Sequence, residues 1–397
     1  MQASNSKQNK ALNLRLVLSH IATLSPVSRA EIAKITGLTK QTITNMVDEL
    51  LAAGLINELG VKRQGTVGKP SKMLALSGKN TVNAGIRLFD NHCRLALFSL
   101  TNEKIGECDI PRGQKLPGTL HEALQALLTE HGVQQGELLG VGISFVDQFD
   151  HDYPDPKARE MFCQSLAITL GHPVVMESTA AACAAWHMLH GEARGLQGFV
   201  YVHLGLQMEA AVVYGRRILL GHNRLTGAFG DIFVSPEVSS KDGELGRLND
   251  FASLNALREL TRQTDMDLEA INHLSENNPK ILSRWLEQAA EPMRIAIHML
   301  ESVLNSQTII FGGDITPELL DKMIARLRPL IPSISQYGER HVPRIIKTPN
   351  VQEIAMSGLA TLPLHSALDT EQPYSAFLPA NSDLTEKQIL LYTASWA

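Results

Sequence analysis

Polar side chains at helical spacing between Lys40 and Ala53 have the chemistry to read DNA bases. At about 100° per residue, this segment gathers four apolar residues on one face, namely Ile43, Met46, Val47 and Leu50. Gln41, Thr44, Asn45 and Asp48 lie on the opposite face. A helix in the major groove needs such short polar side chains opposite an apolar stripe to hydrogen-bond base edges. The pattern therefore predicts a DNA recognition helix.

The residues before this helix predict the rest of a helix-turn-helix. Ser28 and Glu31 stand three apart, as a capping box requires, and open a short helix. That helix ends at Gly37, a residue that tolerates the left-handed conformation of a tight turn. Thr39 can then cap the recognition helix. Further upstream, an amphipathic support helix is indicated by the spacing of Leu14, Val17, Leu18 and Ile21.

A glycine-rich basic loop from Lys62 to Ser71 follows the recognition helix. It lies between two predicted strands, one beginning at Gly54–Ile56 and the other at Met73–Leu76. Helices followed by such a hairpin make a winged helix-turn-helix, and a generic helical hairpin with a solvated basic loop is the alternative. The residues that we predict to contact DNA are Lys40, Gln41, Thr42, Thr44, Asn45, Arg63, Lys69 and Pro70.

The net charge of residues 1–80, called the head below, differs in sign from that of the rest of the chain. Residues 1–80 hold 11 Lys and Arg against 4 Asp and Glu, a net charge of +7, which leaves −12 for the remainder of a chain whose total is −5. A basic module on an acidic body confines phosphate affinity to the head. We therefore expect a double-stranded DNA operator as a partner.

Composition argues against several other classes of protein. No apolar run approaches the roughly 18 residues of a membrane span. The polar start MQASNSKQNK lacks the apolar core of a signal peptide. The four cysteines are widely spaced without a CxxC pair, so we expect buried free thiols rather than disulfides or a metal site. These features predict a cytoplasmic protein with no membrane partner.

Beyond a polar hinge at 77–80, apolar runs alternate with helical patterns, which is typical of α/β layers. Two such cycles, joined near residues 190–198, predict two similar lobes with a cleft between them. We predict a winged helix-turn-helix domain at 1–79 and a first α/β lobe at 80–194, to which the tail at about 375–397 returns. A second α/β lobe is predicted at 195–374.

A winged helix followed by two such lobes resembles the ROK family, named for its repressors, open reading frames and sugar kinases. The resemblance runs from about residue 9 to residue 366 and rests on the order and spacing of several short segments. These segments are Gly-Lys-Pro-Ser at 68–71, Val-Gly-Ile at 141–143, Pro-Val-Val-Met-Glu at 173–177, the strand pair around Gly205, Ile-Ile-Phe-Gly-Gly at 309–313 and Ala-Met-Ser-Gly-Leu-Ala at 355–360. The resemblance implies a two-lobed sugar-kinase-like body of the actin/hexokinase type.

Three parts of the family's kinase site are altered. Where family kinases have a sugar-binding Asn and a general-base Asp, this chain has Ser178 and Thr179, and a threonine hydroxyl does not take a proton from a sugar near neutral pH. The phosphate loop is replaced by Gly205–Glu209, which places a carboxylate near where phosphates would lie. The Asp-x-Gly-Gly-Thr phosphate segment is replaced by Asn83–Arg87. We therefore predict no catalytic residues and no cofactor.

The family's zinc and effector motifs are altered as well. Its Gly-Glu-x-Gly-His motif stands as Gly-Ala-Phe-Gly-Asp at 227–231, and Ser240, Asp242 and Arg247 occupy the positions of three cysteine ligands. We therefore predict no structural zinc. The candidate residues of a rewritten effector cleft are Asp150, Glu177, Ser178, Thr179, His222, Asn223 and Asp231. For His222 and Asn223, ordinary loop solvation is the alternative.

These features predict a sequence-specific DNA-binding transcriptional regulator, a repressor of carbohydrate-related genes, that is not an enzyme. Either its body binds a small sugar-like effector in the rewritten cleft, or the pocket is vacant and the protein answers to a protein partner or represses constitutively. A divergent ROK sugar kinase with a DNA-binding head and a nucleoid-associated or scaffolding protein are the rival functions. Because one winged helix covers one half-site of a palindromic operator, we expect a homodimer or tetramer.

Overall fold

The structure is a computed structural model that describes residues 6–62, 71–113, 115–146, 150–222, 225–238, 245–263, 266–369 and 376–393. The chain forms two compact units. Unit 1 comprises Met1–Glu177 together with Leu359–Ala397, and unit 2 comprises Ser178–Gly358. The predicted domain boundaries at 79/80 and 194/195 stay predictions.

Unit 1 begins with a winged helix made of three helices and a three-stranded sheet. Its elements are α1 (Ser6–Leu24), β1 (Val27–Ser28), α2 (Arg29–Thr36), α3 (Lys40–Ala52), β2 (Ile56–Lys62) and β3 (Ser71–Leu76). The strand β3 lies between β1 and β2 and is antiparallel to both. The apolar faces of the helices form the core. Its buried residues include Leu14 and Leu18 of α1 and Ile43 and Leu50 of α3. The two-residue strand β1 has no signal in the sequence, because it is too short for a period-2 pattern.

An α/β sheet follows in unit 1. Its elements are β4 (Val82–Leu88), β5 (His92–Ser99), β6 (Lys104–Pro111), α4 (Leu116–Glu130), β7 (Leu138–Phe145), α5 (Pro156–Leu170) and β8 (Val174–Met176). The strands β4, β7 and β8 pair in parallel, whereas β4, β5 and β6 form an antiparallel meander. Every residue of β7 is buried, as expected for a parallel strand that is covered on both faces.

Unit 2 repeats this topology. Its elements are α6 (Thr179–Leu189), β9 (Phe199–Leu204), β10 (Met208–Tyr214), β11 (Arg217–Ile218), β12 (Phe233–Val238), β13 (Leu245–Arg247), α7 (Leu248–Ala252), α8 (Leu254–Thr261), α9 (Leu268–Asn272), α10 (Leu274–Asn277), α11 (Pro279–Leu304), β14 (Ile309–Gly313), α12 (Pro317–Arg326) and β15 (Ile345–Lys347). The strands β9, β10 and β11 are antiparallel, and β14 pairs in parallel with both β9 and β15. The helix α6 is buried along its whole length.

The last part of the chain is anchored inside unit 1. The helix α13 (Ile354–Leu368) enters unit 1 at Leu359, and it is followed by β16 (Ala376–Phe377), α14 (Glu386–Gln388) and a π-helical turn at Ile389–Thr393. The strand β16 pairs with β8 and so extends the sheet. The buried guanidinium of Arg15 in α1 donates to the carbonyl oxygen of Leu391 at 2.6 Å. The Tyr392 hydroxyl donates to the carbonyl oxygen of Pro363 in α13 at 2.6 Å. The tail therefore links the winged helix to the α/β part of unit 1.

A glycine in β7 permits the close approach of α13. A Cβ at Gly142 would lie 1.9 Å from the carbonyl oxygen of Leu359. Gly142→Ala should therefore push β7 and α13 apart and lower the free energy of unfolding by about 1–3 kcal/mol, as measured by urea unfolding. Gly136→Ala is the matched control, since nothing lies within 4 Å of its Cβ position; its effect should stay within about 0.5 kcal/mol. Equal effects of the two substitutions would contradict this packing.

Candidate nucleic-acid interface and the altered kinase positions

The helix-turn-helix has the local bonds that the sequence predicts. The Ser28 hydroxyl accepts the Glu31 N–H at 3.3 Å, and the Glu31 carboxylate accepts the Ser28 N–H at 2.8 Å, which completes the capping box of α2. Gly37 ends α2 with φ of 70°, in the left-handed region that favours glycine. Thr39 caps α3 by accepting the Thr42 N–H at 3.2 Å. Local sequence therefore determines where α3 begins.

The two faces of α3 differ as predicted. Its buried residues are Ile43, Met46, Val47 and Leu50. Lys40, Gln41 and Asn45 are exposed, whereas Thr42 and Thr44 are half-buried. Arg63, Lys69 and Pro70, which we also predict to contact DNA, lie outside the described residues. DNA contact by each of these eight residues stays a prediction.

An ion-pair network that the sequence does not reveal connects α2, α3 and the strands of the wing. Arg29 at the start of α2 contacts Asp48 of α3 at 3.3 Å and Glu58 of β2 at 2.8 Å. Lys72 of β3 contacts the other oxygen of Glu58 at 2.5 Å. Hydrogen bonds from Lys72 and Arg29 lower the pKa of Glu58. The network holds the base of the wing beside the recognition helix.

In unit 2, the N-terminus of α6 carries Ser178 and Thr179, for which the resemblance implies the positions of the family's sugar-binding Asn and general base. Ser178 caps the helix by accepting the Ala181 N–H at 3.1 Å, and Thr179 is buried at the first helical position. The Glu209 carboxylate accepts the Ala180 N–H at 3.1 Å and is itself buried. Helix N-termini favour anions. Here the anion is the protein's own carboxylate.

A second internal carboxylate, that of Asp314, lies beside Gly205 in unit 2, in the segment predicted to replace the family's phosphate loop. The register of β9 and β14 pairs Gly312 with His203, so that Asp314 follows beside Gly205. A Cβ at Gly205 would lie 3.2 Å from the Asp314 carboxylate, and the same carboxylate oxygen lies 3.2 Å from Nε2 of His203. Burial alone lowers the pKa of His203, but Asp314, with a smaller contribution from the Cys183 thiol, raises it to about 10. Asp314 is thus committed to an internal ion pair with a protonated histidine.

Asp150, a predicted effector residue, has structural partners in unit 1. The Arg112 guanidinium donates to its two oxygens at 2.7 and 2.6 Å, and the N–H groups of Asp152 and Tyr153 donate to it at 3.0 Å. The side chains of the Arg112–Asp150 pair are 6% and 2% exposed. Burial alone raises the pKa of Asp150, but Arg112 and the two backbone N–H groups hold it below its usual value. The carboxylate is thus held by partners within the protein, and it has almost no exposed surface for a ligand hydroxyl.

The remaining effector candidates are spread over both units. The Glu177 N–H donates to the carbonyl oxygen of Ile143 in unit 1 at 3.1 Å. In unit 2, His222 is exposed, and Asp231 is exposed with Arg247 at 3.7 Å. Asn223 lies outside the described residues. Ser178 and Thr179, which are neighbours in the chain, both lie at the N-terminus of α6. Their contact with an effector stays a prediction.

The described His, Cys, Asp and Glu side chains bear on the predictions about zinc and about the cysteines. Among the described residues, no group of three or more His, Cys, Asp or Glu side chains is placed to hold a metal ion. Ser240 and Asp242 lie outside those residues, so the expected lack of zinc stays a prediction. The four cysteines are free, and three of them are buried. Burial raises the pKa of the Cys93 thiol to about 11.

Comparison with known proteins identifies the family. A sequence model of the ROK family matches residues 83–365, which is more than half of the chain. The chain belongs to the ROK family. A MarR family model matches residues 15–64 of this ROK protein, the part that contains α2 and α3. The resemblance seen in the sequence is confirmed.

Relatives of this ROK protein include named regulators. It is 23% identical over 332 residues to the xylose repressor of Bacillus subtilis, with 79% of this chain and 86% of the repressor covered. It is 22% identical over 345 residues to the DNA-binding transcriptional dual regulator NagC of Escherichia coli, with 79% of this chain and 83% of that regulator covered.

Solved structures show the same fold. A ROK family transcriptional regulator, a homologue of the E. coli MLC protein, matches with a TM-score of 0.68 and 18% identity over 90% of this chain and 97% of that one. The ROK hexokinase of Thermus thermophilus matches with a TM-score of 0.53 and 20% identity over 71% and 97%. The predicted fold class, a winged helix-turn-helix followed by a sugar-kinase-like body, is confirmed. In the described part of the chain, no helix combines the length and the apolar character needed to cross a bilayer.

Proposed function

We propose that this ROK protein is a sequence-specific DNA-binding transcriptional regulator that represses carbohydrate-related genes. The observation that carries this function is α3, a capped helix with a buried apolar face and exposed amides opposite it. A helix of this kind presents hydrogen-bonding groups to base edges in the major groove. Relatives named xylose repressor and N-acetylglucosamine repressor support the same function and point to sugar metabolism.

The body of the protein is not a kinase in this proposal. The general-base position holds Thr179, which is buried, and the N-terminus of α6 is bonded to Glu209. Asp314 lies beside Gly205 of the altered phosphate loop. Catalysis of phosphoryl transfer depends on positioning and neutralising phosphates. The Glu209 carboxylate opposes both, and Asp314 and His203 form an ion pair that adds no net positive charge. The hexokinase likeness concerns the fold alone.

We further propose that a sugar or sugar derivative is the effector and that the regulator acts as a homodimer or tetramer. The sugar class is inferred from two relatives, which are named xylose repressor and N-acetylglucosamine repressor. The symmetric assembly is inferred from the single recognition helix in each chain, since palindromic operators take two. Calorimetry with xylose and N-acetylglucosamine tests the first inference. Sedimentation with and without DNA tests the second, and a monomer at micromolar concentration in both would contradict it.

Selection of bound genomic fragments tests the central proposal. The full chain, mixed with sheared DNA of its own organism and excess non-specific competitor, should enrich fragments upstream of carbohydrate-related genes. It should bind them at least about 1,000-fold more tightly than random duplex at the same salt concentration. Equal affinity for random duplex would favour the scaffolding function. Sugar-dependent ATP hydrolysis by the wild type would restore the kinase hypothesis.

A further inference from the structure

Most polar groups on the outward face of α3 already have partners within the protein. The Thr42 hydroxyl shares a hydrogen bond of 2.8 Å with the Thr39 hydroxyl, and the Thr44 hydroxyl donates to the carbonyl oxygen of Lys40 at 2.9 Å. Asp48 is paired with Arg29. Each contact uses part of a group's hydrogen-bonding capacity, and the Thr44 hydroxyl and the Asp48 carboxylate are left with acceptor sites alone. Gln41 and Asn45 differ from them, because each amide keeps both a donor and an acceptor.

Gln41 and Asn45 form one bonded pair on the exposed face. The Gln41 Nε2 donates to the Asn45 Oδ1 at 2.9 Å, across one helical turn. The bond leaves the Gln41 Oε1 as an acceptor and the Asn45 Nδ2 as a donor. Because the amides hold each other, less side-chain freedom is lost when a base binds. The pair therefore presents an ordered acceptor and donor to the groove.

Adenine offers the complementary pattern. In the major groove it presents an N6 amino donor and an N7 acceptor, whereas guanine presents two acceptors, N7 and O6, and is most often read by arginine or lysine. The segment Lys40–Ala52 contains no arginine, and its one lysine, Lys40, is the first residue of the helix. Thr44 lies on the same face, and because its hydroxyl already donates to the backbone, its methyl group is available to contact a base. A thymine methyl is the apolar group that the major groove offers.

We propose that Gln41 and Asn45 act together as one bidentate reader of adenine, with the Thr44 methyl group against a neighbouring thymine. The half-site read by α3 then contains an A·T pair at an invariant position. This inference rests on the proposed function and adds the base class that the recognition helix selects. Gln41 accepts from N6 of the adenine, and Asn45 donates to N7.

Selection from a library of synthetic duplexes with a randomised central segment tests this inference with the full-length protein. The wild type should enrich a motif with an invariant A·T pair in each half-site. Gln41→Ala and Asn45→Ala should each lose the preference at that position and keep the others. Gln135→Ala is the matched control, an exposed amide outside the winged helix, and should select the wild-type motif. Thermal melts check that all the variants fold.

Affinity for the selected duplex gives the second readout. Each single variant should bind about 5- to 150-fold more weakly than the wild type, the range expected for one bidentate contact. The double variant should lose little more than either single one, because the two amides act as a unit. Replacing the invariant adenine by 7-deazaadenine, which lacks the N7 acceptor, should weaken the wild type and leave Asn45→Ala within about twofold.

The outcomes separate this inference from the proposed function. A selected motif with G·C at the position lost in the variants, or variants that retain the wild-type motif, would overturn the adenine reading while sequence-specific binding stands. Additive losses in the double variant would show two independent contacts and would also overturn it. If the wild type enriches no motif, both the inference and the proposed function fail.

Discussion

Asp314→Asn should lower the free energy of unfolding by about 3–5 kcal/mol at pH 7, because it removes the counter-charge of a buried cation. His203 is 2% exposed, and its Nε2 lies 3.2 Å from the Asp314 carboxylate. Without that carboxylate, burial favours the neutral imidazole and the ion pair is lost. Urea unfolding monitored by circular dichroism measures the difference between the two proteins.

The pH dependence identifies the cause of this loss. The pKa of His203 is raised to about 10 in the folded protein, whereas an unfolded histidine titrates near pH 6.5. The stabilisation is therefore fully present below about pH 6.5 and is lost as the pH rises through about 10, at up to roughly 1.4 kcal/mol per pH unit. The deficit of Asp314→Asn should shrink over the same interval. A deficit that does not change with pH would assign it to packing instead.

A matched variant separates burial from pairing as such. Asp321 of unit 2 also forms an ion pair, with Lys347 at 2.7 Å, but its side chain is 60% exposed. Asp321→Asn makes the same chemical change and should cost no more than about 1 kcal/mol, as exposed pairs do. Similar losses from Asp314→Asn and Asp321→Asn would contradict the buried ion pair.

Arg112→Met should destabilise unit 1 by a similar amount, about 3–5 kcal/mol, because it leaves Asp150 buried without its cation. The same substitution at Arg94 provides the control. Arg94 donates two hydrogen bonds to Asp109, at 2.8 and 2.9 Å, and the two side chains are 43% and 50% exposed. Both pairs are bidentate, through Nη1 and Nη2 of Arg112 and through Nε and Nη2 of Arg94, and they differ in burial. Arg94→Met should cost about 1 kcal/mol or less.

The acid side of the pH profile tests the Arg112 prediction further. Arg112 and two backbone N–H groups hold the pKa of Asp150 below its usual value, so its contribution is present above about pH 4 and is lost as the pH falls through the folded-state pKa. The deficit of Arg112→Met should therefore shrink in acid. If it grows as the pH falls, Asp150 is not the group left without a partner.

The sequence by itself determined the winged helix and the order of the α/β elements. The start and end of α2, the turn at Gly37 and the buried face of α3 all depend on residues within a few positions of one another, which is why capping and periodicity predict them. The strand β7 was equally accessible from the sequence, because a continuous apolar run bounded by polar residues indicates a buried strand. The prediction that Thr179 replaces the general base rests on the order of motifs in the resembled family.

Only the tertiary structure decided what the altered positions do. The sequence shows that residue 209 carries a carboxylate, but it does not predict the hydrogen bond of that carboxylate to the N-terminus of α6. This bond depends on how β10 packs against the helix. In the same way, Asp314 reaches His203 through the parallel register of β9 and β14, and Arg112 reaches Asp150 between elements far apart in the chain. Such pairs are set by register and packing rather than by neighbouring residues, so no local pattern announces them. Local physical chemistry therefore specifies α3, and long-range packing specifies which partners the buried carboxylates of the body contact.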